Sequence, residues 1–484
     1  MKDRVEPSPS TRIVLMLATV VLYGLSYPPY GSPLVAWLAL VPLFLALRGL
    51  SAGHALLLAW VSGLAMAYAI TDFLPAAVAY YYGQGLFFGV LLFVASVSVM
   101  CCLSHMLFAL WYRWPGATRS VTATGDGRAI ADVPAWRAAG APSPLLVGAA
   151  WVVAEFIRGD LEGNPWGTIG YTQVRWLPMV QIAEWTGVYG ITFVVVAMNA
   201  ALADVVVQRA RPRALGRVAL VAMLALAVVT YGRARLAAVE AEPPGDVPIA
   251  VVQGNVDLGA RWRQELYGQN LEDYLRQTRD AARHEPAQVV FWPENAVTFF
   301  LEDEALYRYA IGHVLAPLGA QLVTGGPHAE PGPPQRFYNS AFLLGRDGEV
   351  IGRYDKRVLM PFAEYYPGWL AVLSQRQFGG VREFSEGRPS PPLPTDAGPA
   401  SVVTCNEALF PRTVRERVAD GGGYLVNLAN DGWLGVHRYS DRVLDMVAVR
   451  AIEHRRFAVR ASSSGGSAIV APSGRVLARS APFA

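Results

Sequence analysis

Apolar positions crowd the first half of the chain in long, nearly unbroken runs. Seven stretches stand out, at about 13–27, 33–47, 55–75, 86–111, 144–158, 178–207 and 214–231. Several reach the roughly 20 residues that a helix needs to cross the hydrocarbon of a bilayer. The first two are short and separated by SYPPYGSP, so they form either two spans or a tight re-entrant hairpin. Both alternatives add an even number of crossings and leave the orientation unchanged. The opening MKDRVEPSPSTR has the outline of a signal peptide, but no A-x-A-like cleavage site follows and further spans do, so an uncleaved first anchor is expected.

The pattern changes at EAEPPGDVP, residues 240–248. From there short β-branched runs alternate with helical stretches. PIAVVQGN, QVVFWPE and QLVTGGP read as strands, with helices over RWRQELYGQNLEDYLRQTRDAARH and EDEALYRYAIGHVLAPLG. FYNSAFLLG and EVIGRYDK flank an Asp-Gly hairpin turn. After a Pro-rich loop come strand SVVTC, helix PRTVRERVADG, strand YLVNLAND and one helix through SDRVLDMVAVRAIEHRRFAVR, before GSAIVAP and RVLARS close the chain. The expected fold is a multi-pass α-helical membrane bundle over residues 1–240, then a layered α/β domain over 246–484 with its function at strand ends and loops.

Composition agrees with a membrane protein. Of 484 residues 53% are apolar and only 16% charged, with a mean hydropathy of +0.28, too apolar for an ordinary soluble chain of this size. A net charge of +3 implies no nucleic-acid partner. Lys and Arg resist translocation. With the N-terminus inside, the inner segments hold twelve of them and the outer loops only Arg158 and Arg175. An odd number of spans then puts the α/β domain on the outer face of the cytoplasmic membrane.

Three cysteines make no disulfide framework. Cys101 and Cys102 lie in an apolar run and read as helix core. Cys405 stands alone in the polar half, in SVVTCNEALFP, while Glu294 in FWPEN and Lys356 in GRYDKRVLMPF end two other expected strands. A thiol attacks a carbonyl as the thiolate, a carboxylate can take its proton, and an ammonium can stabilise the oxyanion that develops. Each residue also has a plainer reading, as core cysteine, solvated glutamate and hairpin lysine, and spacing does not decide between them. The GG of VTGGPH and the GGG at 421–423 have neither dinucleotide nor P-loop spacing. His437 and His454 lack a metal-like companion set, and neither cofactor nor metal is expected.

The order WPEN, YNSA, GRYDKRVLMPFAEYYP, TCNEALFP and NLANDGWLG is similar to that of the nitrilase superfamily with its Glu-Lys-Cys triad. With seven spans ahead of it and VVQGNVDLGARW opening the second domain, nearly the whole chain resembles the apolipoprotein N-acyltransferase family. The resemblance implies an αββα nitrilase-like domain. It also implies a ping-pong reaction, in which a phospholipid, typically phosphatidylethanolamine, acylates the cysteine and a diacylglyceryl lipoprotein accepts the acyl chain on its α-amino group. It assigns Cys405 as nucleophile, Glu294 as general base and Lys356 as oxyanion-stabilising cation. Glu364 in PFAEYYP corresponds to a second essential acidic position, Trp262 in LGARW to a tryptophan of substrate handling, and Glu407 to the acid two positions after the nucleophile.

Asn339, Asn427, Asn430 and Asp431 either orient such a site or make turns at strand ends. MPFAEYYPGWLAVLSQRQFG, residues 360–379, has five aromatic residues in a nominal loop and reads as a lid dipping into lipid. The chain departs from the family pattern at Asn406, usually Tyr, at ASSSGGSA, which lacks an Asn-Gly pair, and at RVLARSAPFA, where the family continues into an eighth membrane helix. A monomer is expected. The rival readings are a membrane-bound amidase or acyltransferase with another acceptor, and a lipoprotein-binding pseudoenzyme.

Overall fold

The structure is a computed structural model that describes residues 7–113, 142–208, 210–243, 245, 247–255, 266–284, 286–361, 363–365, 383–432 and 437–481. It divides into two compact units, Met1–Asp72 with Val90–Arg235, and Phe73–Gly89 with Leu236–Ala484.

The apolar half forms α1 (Pro9–Ser26), α2 (Ala52–Thr71), α3 (Leu86–Met100), α4 (Cys102–Arg113), α5 (Pro144–Phe156), α6 (Ala183–Gln208) and α7 (Pro212–Glu240). Among the described residues α1, α2, α6 and α7 are each long and apolar enough to cross a membrane, and α3 with α4, bent by 48°, make a fifth candidate. The stretch at 33–47, expected either to span or to form one arm of a re-entrant hairpin, is broken into helical pieces Pro33–Ala36 and Val41–Ala46. Broken helices leave orphan backbone groups that lipid cannot satisfy. Asn199 of α6 meets two of them, accepting from the Leu40 N–H at 2.8 Å and donating to the Ala36 carbonyl at 2.9 Å. Phe44, Phe108 and Trp151 pack in the core of this unit. Cys101 and Cys102 are buried there as free thiols.

The second unit holds two sheets. The first runs β1 (Ile249–Val251), β2 (Val289–Phe291), β3 (Gln321–Glu330), β4 (Arg336–Leu344) and β5 (Val350–Asp355), parallel as far as β3 and antiparallel beyond. The other has β7 (Gly398–Thr404), β8 (Tyr424–Ala429) and β9 (Ala458–Ser462) parallel at its centre, flanked by antiparallel β6 (Leu393–Thr395) on one side and β10 (Ala468–Val470) with β11 (Val476–Arg479) on the other. Successive strand residues face opposite ways, and the burial pattern follows that period. Val289 and Phe291 join Val323, Val402, Val426 and Val459 in one cluster drawn from both sheets. Their neighbours Val290 and Trp292 instead pack with Leu271, Tyr274 and Leu275 of α8 (Tyr267–His284) and with Ile311, Val314 and Leu315 of α9 (Ala305–Leu318). Two more helices, α10 (Pro411–Ala419) and α11 (His437–His454), follow β7 and β8.

Three expectations are corrected. The helix expected through residue 460 stops at His454, where Arg455 takes φ 48°, and AVRAS becomes β9, buried throughout. Pairing of this segment with β8 makes it a strand. The Pro-rich loop contains β6, whose Pro394 is tolerated because the strand is an edge. Residues 73–89, expected within the bundle, pack with the second unit, where Phe73 meets Tyr439 of α11 with ring centroids 6.3 Å apart.

Phe291 is fully buried against Tyr424 between the sheets. Phe291→Ala should cost about 3–5 kcal/mol and lower the thermal unfolding midpoint in detergent, whereas an unchanged midpoint would contradict this packing.

Candidate active site

Strands of both sheets, parallel β2 and β7 and antiparallel β5, deliver polar residues at or just past their ends. Glu294 follows β2 by three residues, Lys356 follows β5 directly, and Cys405 follows β7 directly. Gly325 of β3 lets the Glu294 turn come close, since a Cβ there would lie 2.6 Å from the Glu294 Cα. The main-chain N–H of Lys356 is bonded to the Asn339 carbonyl of β4 at 2.8 Å. Glu294, Lys356 and Cys405 are 4%, 1% and 8% exposed, so their interactions are little screened by water.

Their side chains converge. Lys356 Nζ lies 2.8 Å from Glu364 Oε2 and 3.7 Å from Glu294 Oε1. Asn339 Nδ2 donates to both carboxylates, at 2.7 Å each. The second oxygen of Glu294 accepts the Asn430 N–H at 2.9 Å, and Glu364 Oε2 accepts that of Met360 at 2.7 Å. The Cys405 thiol lies beside the Glu294 carboxylate, and each shifts the other's protonation. Cys405 has φ 51°, a left-handed backbone that costs a non-glycine residue about 1–2 kcal/mol. Its carbonyl accepts from Asn427 Nδ2 at 3.1 Å, and it opens a tight 3₁₀ turn, Cys405–Leu409.

Glu407, two residues on, has a separate set of partners. Fully buried, it accepts from the Tyr354 hydroxyl at 2.9 Å, from the Arg357 and Val358 N–H groups at 2.8 and 2.9 Å, and from the Thr404 N–H at 2.7 Å. It therefore ties the turn carrying Cys405 to the chain that follows Lys356. The T-C-N-E spacing of a capping box is the sequence signal for it. Asn406 is buried, and its Oδ1 has no hydrogen-bond partner among the described residues. Trp262 and most of the 360–379 arm lie outside the described residues. Sequence reasoning missed Tyr439 and Arg460. The Tyr439 ring is partly buried against Phe73, and Arg460 bonds Asn427 and Asp431.

Charge sets the protonation states. Burial pushes the Cys405 thiol well above its ordinary range and the Glu294 carboxylate pushes it further, while Lys356 pulls only partly against them. Burial also raises Glu294, with Lys356 opposing and Glu364 adding to the rise. For Lys356 burial works against the charge, but Glu364 and Glu294 outweigh it and hold the ammonium above its ordinary value. The resting site is thus a protonated thiol, a carboxylate able to take its proton, and a fixed cation beside both. Among the described residues no cluster of His, Cys, Asp and Glu suits a metal ion.

Residues 20–201 match the family model described as apolipoprotein N-acyltransferase N-terminal domain, and residues 248–484 the carbon-nitrogen hydrolase model. The chain is 32% identical to an apolipoprotein N-acyltransferase of Geobacter metallireducens, over 97% of this chain and 87% of the relative. It is 28% identical to one of Methylococcus capsulatus, over 96% and 87%. Among solved structures a nitrilase-superfamily amidase mutant from Nesterenkonia has 20% identity and a TM-score of 0.38, covering 50% of this chain and 88% of that one.

Iodoacetamide alkylation of Cys405 should still accelerate as pH rises past 9, the ordinary thiol value. Because Lys356 lowers the thiol's pKa, Lys356→Met should slow alkylation at every pH below the plateau; a plateau reached by pH 8 in the unaltered protein would contradict the electrostatic account.

Proposed function

Because the chain belongs to the apolipoprotein N-acyltransferase family, we propose that Cys405 carries an acyl chain from a membrane phospholipid to the amino terminus of a diacylglyceryl lipoprotein. The observation that supports this most is the convergence of a buried thiol, Glu294 and Lys356 from the ends of β7, β2 and β5.

In the first half-reaction Glu294 takes the thiol proton as the sulfur attacks the donor's ester carbonyl. Negative charge then gathers on the carbonyl oxygen, where the fixed Lys356 ammonium stabilises it without reorganising. Collapse breaks the ester C–O bond, the leaving alkoxide takes the proton from Glu294, and a lysophospholipid departs from a thioester on Cys405. In the second half-reaction the neutral α-amine of the acceptor attacks the thioester and gives a proton to Glu294. The C–S bond breaks, and the proton returns to the sulfur. One base and one cation thus serve both halves. Glu364 and Asn339 hold Lys356 and Glu294 in place, and Glu407 holds the turn that carries the thiol.

The finer assignments belong to the same proposal. Seven crossings, counting the broken 33–47 segment and α5, would place the catalytic domain on the outer face of the cytoplasmic membrane, in keeping with the Lys and Arg bias. The domain boundary lies between residues 240 and 246, and the two sheets with their outer helix pairs form an αββα sandwich. Phosphatidylethanolamine is the proposed donor, a monomer the proposed state, and Trp262 and Asn406 the proposed contacts with substrate.

Incubated with phosphatidylethanolamine vesicles and a diacylated lipopeptide, the protein should yield triacylated lipopeptide. Cys405→Ala should yield none, and Glu294→Gln should be slower by about 10²–10⁴-fold. Turnover by Cys405→Ala would sink the proposal. Glu294 must be ionised to act and its pKa is raised, so activity should fall on acidification at a pH above 4.5, the ordinary carboxylate value. An acidic limb at or below 4.5 would argue against Glu294 as the base.

A further inference from the structure

Arg460 is fully buried on β9 and belongs to none of the sequence motifs. Its strand neighbour is β8, where Asn427 pairs with Arg460 on one side and with Val403 of β7 on the other. The guanidinium donates to Asn427 Oδ1 and to the Asp431 carboxylate. Asn427 Nδ2 in turn donates to the main-chain carbonyls of Cys405, at 3.1 Å, and Val403, at 3.2 Å. A primary amide can present either end, but a guanidinium has only donors to offer. Arg460 therefore obliges the Asn427 oxygen to face it, which leaves the amide nitrogen for the two carbonyls. On its other side Asp431 directly follows Asn430, whose N–H is bonded to Glu294. A single buried cation is thus joined both to the backbone of the thiol residue and to the loop that holds the carboxylate.

We propose that Arg460 is a positioning residue for acylation of Cys405: by orienting the Asn427 amide and anchoring Asp431, it holds the left-handed backbone at Cys405 that presents the thiol to Glu294. This rests on Cys405 being the nucleophile. Arg460 itself touches no reacting atom. A purely structural Arg460–Asp431 pair would affect folding and leave the acylation step alone.

Two variants of the full-length membrane protein separate these roles. Asn427→Asp keeps an acceptor for Arg460 but replaces the donors that hold the Cys405 carbonyl. Arg460→Met with Asp431→Asn removes both charges together and leaves no carboxylate unpaired in the interior. In single-turnover acylation by phosphatidylethanolamine vesicles, each is expected to lose 10- to 100-fold in rate constant, with the KM for phospholipid within twofold of the unaltered protein. A folded Asn427→Asp protein that acylates at the unaltered rate would overturn the proposal, as would full acylation by the folded double variant. Cys405→Ala is the control that separates the two failures, because acyl uptake by that protein would refute the nucleophile assignment itself.

Discussion

The site depends on one buried cation between two buried carboxylates. Lys356 has almost no contact with solvent, and an isolated ammonium in such a place would give up its proton. Glu364 at 2.8 Å and Glu294 at 3.7 Å prevent this. Removing one partner from such a buried pair would cost about 3–5 kcal/mol, since the other charge would be left uncompensated. The cluster also carries one more carboxylate than cation. Burial and the neighbouring Glu294 carboxylate both disfavour a resting thiolate, so the Cys405 thiol keeps its proton. Burial, with Glu364 adding to it against Lys356, gives Glu294 its raised proton affinity.

The surrounding fold is arranged to keep that cluster rigid. Glu407 uses a buried carboxylate as a clasp between the turn at Cys405 and the chain after Lys356. Gly325 allows β3 to approach the Glu294 turn more closely than any side chain would permit. Asn427 and Asn430 lead from β8 to the Cys405 carbonyl and to the Glu294 carboxylate. Burial excludes most water, so a thioester on Cys405 would meet an amine acceptor with little competition from hydrolysis.

Much of the frame was legible in the sequence because it follows from patterning. The β-branched runs before Glu294 and Cys405 and the Asp-Gly turn before Lys356 stand as read. Breaks in apolar runs were less legible, since the division of 33–47 depends on Asn199, far away in sequence. The expected helix runs on through Arg460, but pairing with β8 makes Ala458–Ser462 a central strand, and Arg460 faces the site from it. The meeting of Glu294, Lys356 and Cys405 was not visible in spacing at all. Strand ends and residue chemistry suggest the residues and resemblance suggests their roles, but only the register of two sheets brings them together. Glu407 shows a different limit: its position was noticed, but its use as a clasp depends on Tyr354 and on the backbone of Arg357 and Val358.

The central claim is that Cys405 becomes an acyl thioester. Intact-protein mass spectrometry after incubation with phosphatidylethanolamine vesicles alone tests it most directly. The account predicts a mass increase of one acyl group, mapped to Cys405 and discharged on adding a diacylated lipopeptide. An active protein that gains no mass, or a Cys405→Ala protein that gains the same mass, would contradict it.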